Sequence, residues 1–310
     1  MKLTVTPFTV HKRVPLTISR GTNAGSTNLW VQVQADNIIG WGEATPFSIG
    51  TVTQTVEAIQ ADLDRMTVAL DSCHPLERQQ IEAILDDLKP CSAARAAVDV
   101  ALWDWLGKRV GLPLWQLWGL DLDKMGPTAV TVGINSPQGA CDRMQSWLTQ
   151  IPNIRSIKVK LGSPNGITAD KAMFEALMET FPPGTKISVD ANGGWSASNA
   201  VEMAQWLKVR GVEYLEQPLE RGEEDSLAKI RTYLPVFLDE SCFTSADIPQ
   251  LAPYADGINI KLMKSGGLTE ARRMIHTARA CGLGVMYGCY SDSAISNTAL
   301  AHLGPLADHL

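Results

Sequence analysis

The segments LTVTPFTV, PLTISRG and TNLWVQVQADNIIGWGEA alternate apolar and polar positions with a period of two, and turn residues separate them. That is the pattern of three antiparallel strands with one face buried. The period then lengthens. TQTVEAIQADLDRM, PLERQQIEAILDDL and SAARAAVDVALWDWLGKRVG carry apolar residues at helical spacing. Ser92 stands where an N-cap would begin the third helix, and Gly111-Leu112-Pro113 stops it.

From about residue 127 a repeat takes over. Short β-rich runs recur as TAVTVGI, SIKVKLG, KISVDANG, VEYLEQP, PVFLDES, GINIKLM and GVMYGC, with helical patterns between them. Strand and helix alternating about every 25 residues predict a parallel βα array. Seven such units after a separate α+β segment predict an α/β protein with a modified (β/α) barrel. No Gly-rich dinucleotide fingerprint follows the first strand, which disfavours the alternative of an open doubly wound sheet. The expected division is an N-terminal α+β capping domain with its linking helix over residues 1–125 and a barrel over residues 126–310.

Composition narrows the class. Of 310 residues, 45% are apolar, enough for a large core. A net charge of -6 without a dense basic run argues against nucleic acid as a partner. The first residues lack the apolar run of a signal peptide, and no stretch has the length of a membrane span. Six scattered cysteines with no C-x-x-C pair fit reduced thiols. A cytoplasmic globular protein is the expectation.

The strand ends carry the chemistry. Lys158 and Lys160 lie two apart in SIKVKLG and share a face; Asp190, Glu216, Asp239 and Lys261 end the following units. Barrel active sites form at the C-terminal ends of strands. Three carboxylates there repel one another, and a divalent cation resolves that repulsion; hard oxygen donors favour Mg²⁺. Lysines flanking the carboxylates suit abstraction of a proton α to a substrate carboxylate. The metal stabilises the enediolate while one lysine removes the proton and the other returns it. A neighbouring cation and a dry site are expected to lower a lysine's pKa toward the useful range. Asp239 and Glu240 are adjacent, so strand parity predicts that one alone enters the mouth. Lys264 competes with Lys261, but its place beside Gly266-Gly267 puts it past the strand, and Lys261 is preferred.

In the order KVKLG, VDANGGW, EQPL, LDES and NIKLMKSGG, these motifs resemble the muconate-lactonizing subgroup of the enolase superfamily, as does the helix AVDVALWDWLGKRVGLPLWQLWG. The resemblance covers nearly the whole chain. It implies Mg²⁺ held by Asp190, Glu216 and Asp239, an acid/base pair of Lys160 and Lys261, and Lys158 assisting by its charge near the substrate carboxylate. Asn192 and Glu240 would support the metal ligands. Lysine bases beside Mg²⁺ are the established pattern of that superfamily.

Within the subgroup, GWGEATP, LDESCF and NIKLMKSGGLTEA look most like dipeptide epimerases of the Ala-Glu kind. That likeness implies a two-base inversion at the C-terminal residue's α-carbon, on a dipeptide or an N-acyl amino acid, in a homo-oligomer. It gives Thr131 a substrate contact and makes SRGTNAGSTN a mobile loop over the site, with Arg20 as a contact. The chain departs from the pattern twice. GCYSDS, with Tyr290, Ser291 and Asp292, stands where relatives often read Gly-x-Met-x-Glu-Ser, so the pocket near Tyr290 and Asp292 should differ. The sequence also stops at LADHL, before the Asp-x-Asp of an eighth strand that holds the substrate's ammonium, so a truncated eighth strand is expected. The alternatives are an N-acylamino acid racemase, an o-succinylbenzoate synthase or a muconate cycloisomerase, which share the lysines and carboxylates, and an inactive binding barrel.

Overall fold

The computed structural model describes residues 1–310. Its first layer is an antiparallel sheet of β1 (Lys2–Ile18), β2 (Gly21–Ala35) and β3 (Ile38–Ala44). Two segments that read as separate strands are one: β1 runs through both, with its register broken between His11 and Leu16. The third segment instead divides at Asp36 and Asn37. Their φ values of 50° and 61° make the tight turn that a short polar pair tolerates.

A small hairpin, β4 (Phe47–Ile49) and β5 (Val52–Gln54), leads into α1 (Val56–Ala69), α2 (Arg78–Leu88) and α3 (Ser92–Val110). Ser92 is the first helical residue of α3 rather than its cap. The cap comes from elsewhere: Ala93 N donates to Gln54 Oε1 at 2.9 Å, and Gln54 Nε2 donates to Ser92 Oγ. Gly111, at φ 70°, ends the helix as its sequence predicts. Helix α3 lies directly on β3. A Cβ on Gly40 would come within 2.0 Å of Ala101 O, and one on Gly42 within 1.9 Å of Ala97 O. The glycines of GWGEA are thus required by this close approach.

After α4 (Leu114–Leu117), seven parallel strands curl in sequence order: β6 (Val130–Val132), β7 (Ser156–Lys160), β8 (Lys186–Asp190), β9 (Val212–Glu216), β10 (Val236–Leu238), β11 (Gly257–Ile260) and β12 (Gly284–Tyr287). Helices α5 (Pro137–Gln150), α6 (Ile167–Met178), α7 (Ala197–Lys208), α8 (Leu227–Arg231), α9 (Ile248–Leu251), α10 (Leu262–Ser265), α11 (Leu268–Ala280) and α12 (Ala294–Ala301) follow them. The eighth position is begun. Asp308 N donates to Val285 O, His309 pairs in parallel with Met286, and Ala129 N donates to Leu310 O at 2.8 Å. The position of the eighth strand, expected to be truncated, is therefore bridged at its base. No helix is long and apolar enough to cross a membrane.

One apolar core joins the N-terminal layer to β11, β12 and α10–α12, and a second packs α5–α8 on β6–β10. The first seats the cap against the strand that leads to Lys261. Inside the barrel, Tyr214, Phe237 and Met286 form a buried floor, with the Tyr214 ring 4.3 Å from His309. Gly257 makes room for it, since a Cβ there would lie 2.2 Å from Phe237. Gly257→Ala should therefore destabilise by about 1–3 kcal/mol through overpacking. Thermal unfolding checks this; an unchanged midpoint would mean that the floor repacks freely.

Candidate active site

Along β7 the pattern Ile157-Lys158-Val159-Lys160 buries both aliphatic residues and turns both lysines to the barrel interior. Parallel pairing then sets their neighbours. Lys160, Asp190 and Glu216 stand side by side across β7, β8 and β9, while Lys158 lies beside Thr131 and Ser188. Each carboxylate meets an ammonium. Lys158 Nζ donates to Glu216 Oε2 at 2.5 Å, Lys160 pairs with Asp190, and Lys261 Nζ donates to Asp239 Oδ2 at 2.5 Å. All three acids are about 1% exposed or less.

Asp239 and Glu240 both enter the site, contrary to the parity expectation. Strand β10 ends at Leu238, so the two-residue alternation no longer applies to the turn that follows. Glu240 Oε1 accepts from Asn192 Nδ2 at 3.1 Å and pairs with Arg20 at 2.9 Å. Lys264 also proves part of the cluster. It has left the strand, as expected, but α10 folds it back with no side-chain exposure onto Asp239 Oδ1 at 2.8 Å and Asn259 O. It reinforces Asp239 from behind and leaves Lys261 on the cavity side.

The lysine pKa expectation is reversed in this arrangement. Burial alone would depress Lys158, but the charges of Glu216, Tyr214 and Asp190 outweigh it and hold the ammonium above its usual range. Lys261 is likewise raised: burial opposes, and Asp239 and Tyr290 prevail. Burial raises Asp190 to about 7, and the charge of Glu216 adds to it despite Lys160. Asp239 is held low because Lys261 and Lys264 overcome its burial.

Lysine ammoniums bond the carboxylate oxygens, and no three acidic groups converge on one point. The donor set nevertheless fits a hard divalent ion. Three buried carboxylates stand at or just past the ends of consecutive strands, and Glu240 Oε2 and Asn192 Oδ1 beside them are buried acceptors with no partner. Asp190, Glu216 and Asp239 are the residues that could hold such an ion.

Asn192 and Gln217 support this set from strained turns, with φ values of 46° and 36°. Asn192 N donates to Asp190 Oδ1 at 2.7 Å. Gln217 Oε1 accepts from Asp239 N, and its amide donates to Ser241 Oγ. Asn259, buried on β11, donates to Glu216 Oε1 at 2.6 Å. Sequence reasoning missed Gln217, Asn259 and the role of Lys264. Asn259 was within reach of the parity rule, since it precedes Lys261 by two and so shares its face.

The segment SRGTNAGSTN is mostly strand: β2 starts at Gly21, and the turn is confined to Ser19 and Arg20. Its tip docks on the barrel, where Arg20 Nη1 donates to Asn192 O at 2.9 Å and Ser19 Oγ to the same oxygen at 3.1 Å. Arg20 is thus engaged by the barrel turns as well as facing the cavity.

A cavity of about 480 Å³ holds Lys160 and Lys261 together, under Arg20 and against Phe47 and Tyr290. The Tyr290 ring stacks on Phe47 at 4.7 Å, Lys261 Nζ lies 4.8 Å from its centre, and its buried hydroxyl has no partner. Glu43, fully buried, fixes the following loop by accepting from Ser293 N and Oγ. Asp292 does not line this cavity; its Oδ2 accepts from Tyr290 N at 3.2 Å. Thr131 lies beside Lys158 in register, with its carbonyl accepting from Trp147 Nε1.

Burial raises Asp292 to about 6, against an ordinary 3.8, with Glu43's charge adding to the rise. The folded state then holds that proton more tightly than the unfolded chain. Stability contributed by this group is present below about pH 4 and is lost as pH rises toward 6. Asp292→Asn should be more stable than the parent above pH 6, by about 1–2 kcal/mol, and equal to it below pH 4. Melting curves from pH 4 to 8 check this, and a gap independent of pH would contradict it.

Comparison with known proteins agrees with this geometry. Residues 1–119 match the mandelate racemase / muconate lactonizing enzyme N-terminal domain, and residues 142–309 match the enolase C-terminal domain-like model. The chain belongs to the mandelate racemase and muconate lactonizing enzyme family of the enolase superfamily. It is 43% identical to a hydrophobic dipeptide epimerase of Flavobacteria bacterium (strain MS024-2A), over all of this chain and 88% of that one. A dipeptide epimerase from Enterococcus faecalis V583, solved with Mg and L-Leu-L-Tyr, superimposes with a TM-score of 0.92 at 28% identity, over 100% and 88% of the two chains. An N-succinyl Arg/Lys racemase from Bacillus cereus gives 0.87 at 27% identity, over 98% and 84%.

Proposed function

We propose that this protein is a Mg²⁺-dependent dipeptide epimerase, an isomerase that inverts the α-carbon of the dipeptide's C-terminal residue. One observation carries the reading: Lys160 and Lys261, from β7 and the end of β11, face a single cavity beside three buried strand-end carboxylates. Similarity to hydrophobic dipeptide epimerases, and to an epimerase solved with Mg and a dipeptide, supports it.

Asp190, Glu216 and Asp239 would hold the ion, which when bound would supply charge stabilisation at the substrate carboxylate. Lys158 adds its own charge on that side. Lys160 and Lys261 approach the α-carbon from opposite sides: one takes the proton as a free amine, and the other, as an ammonium, delivers a proton to the other face. If Asp190 and Asp239 held an ion, Lys160 and Lys261 would be released from them, and Lys261 would lose the charge that now raises its pKa. Asn192 and Gln217 keep the acids oriented, and Glu240 with Arg20 closes the cap over them. Tyr290 offers its hydroxyl to the substrate. Thr131 and Asp292 are proposed only as groups that shape its surroundings.

The test is a panel of L,L-dipeptides with neutral, acidic and basic C-terminal residues, run beside N-succinyl amino acids, with MgCl₂ or EDTA, and read by NMR and chiral chromatography. Mg²⁺-dependent appearance of the L,D epimer is expected. Turnover of N-succinyl amino acids alone would move the assignment to an acylamino acid racemase.

A further inference from the structure

The break in β1 is larger than a simple bulge. His11 pairs with Gly25 and Leu16 with Asn23, so Lys12, Arg13, Val14 and Pro15 lie opposite Ala24 alone. Bulges of this kind re-aim side chains. Gly25 is needed for it, since a Cβ there would sit 2.4 Å from Val10 O. Arg13, Val14 and Pro15 are exposed, whereas Lys12 turns inward and lines the cavity that contains Lys160 and Lys261.

Lys12 is held by a residue of the same sheet that is itself tied to the barrel. Its Nζ donates to Asn23 Oδ1 at 2.9 Å, and Ser291 Oγ donates to the same oxygen at 3.1 Å. No acid forms an ion pair with it, and Asp292 is the carboxylate whose field reaches it. Burial lowers its pKa, and Lys160 contributes to the lowering through its like charge. Leu16, Ile18, Pro46 and Phe47 supply the apolar part of the lining, beside the polar Asn23, Ser48 and Ser291 and the guanidinium of Arg20.

We infer that Lys12 is a specificity-determining residue that excludes basic side chains on the residue being inverted and admits neutral or acidic ones. This rests on the epimerase reading above. With the substrate's α-carbon between Lys160 and Lys261, its side chain extends along the apolar wall toward Lys12. An apolar chain packs there, an acidic one gains a partner, and an ammonium or guanidinium meets a cation that no ion pair neutralises. The repulsive element sets the selection as much as the apolar wall does.

The experiment compares kcat/KM for L-Ala-L-Leu, L-Ala-L-Glu, L-Ala-L-Lys and L-Lys-L-Ala in the parent, Lys12→Glu, Lys12→Met and Arg13→Glu. Arg13→Glu makes the same charge change one residue away on the outer surface. Lys12→Glu is expected to raise the L-Ala-L-Lys to L-Ala-L-Leu ratio by about tenfold or more, a size set by one charge contact in a partly dry site. Lys12→Met should raise it less, and Arg13→Glu should leave it unchanged. An unmoved ratio in both Lys12 variants, an equal change in Arg13→Glu, or a gain confined to L-Lys-L-Ala overturns the inference while leaving the epimerase reading intact. A parent inactive on every dipeptide sinks both.

Discussion

Lys160→Ala and Lys261→Ala are each expected to abolish net epimerisation, by at least about 10³-fold, while differing in the proton exchange that survives. With one lysine gone, the other still reaches one face of the α-carbon. Each variant should therefore exchange the α-proton of one epimer with solvent and leave the other epimer untouched, and the two variants should be mirror images. A merely structural role for either lysine would depress both exchanges together. The geometry favours folded variants: Asp239 keeps Lys264 when Lys261 is removed, and Asp190 keeps two donors from Asn192 when Lys160 is removed. NMR of both epimers in D₂O reads the result.

Glu216→Gln and Asp190→Asn should each weaken divalent binding by about 10²-fold or more, because each removes one of three charged oxygen donors. Titration calorimetry with MgCl₂ alone measures it directly. A thermal readout adds a second check. Binding to the folded state alone stabilises by RT ln(1 + [L]/Kd), about 2.7 kcal/mol at one hundred times Kd. The parent should melt higher as MgCl₂ rises through its Kd, and the variants should not. Equal Mg²⁺ affinity in parent and both variants would place the ion elsewhere.

Much of this architecture was legible because strand period and strand-end position are local properties. All seven barrel strands lie within the runs that sequence reading picked out, and the lysine and acid positions followed from parity and register. What escaped depends on where strands stop. Glu240 enters the site because β10 ends at Leu238, and Lys264 because α10 turns it back on Asp239. Neither is visible from alternation. β1 was read as two strands because the Lys12–Pro15 break hides its continuity, and the same break aims Lys12. The Ser92 cap failed for a different reason. Gln54, 38 residues earlier, makes the contact, and long-range partners leave no periodic trace. The eighth strand was expected to be truncated at LADHL, yet His309 makes a parallel bridge to Met286, a long-range pairing with no periodic trace in the sequence.

The most direct test of the two-base site is the fate of the α-hydrogen during the first turnovers of the Mg²⁺-loaded parent in D₂O, on a neutral L,L-dipeptide. The expected result is product epimer carrying deuterium at the inverted carbon while remaining substrate is still largely protiated, because the proton taken by one lysine is not the one delivered by the other. Product that retains its original hydrogen, or inversion that proceeds equally in EDTA, would contradict it.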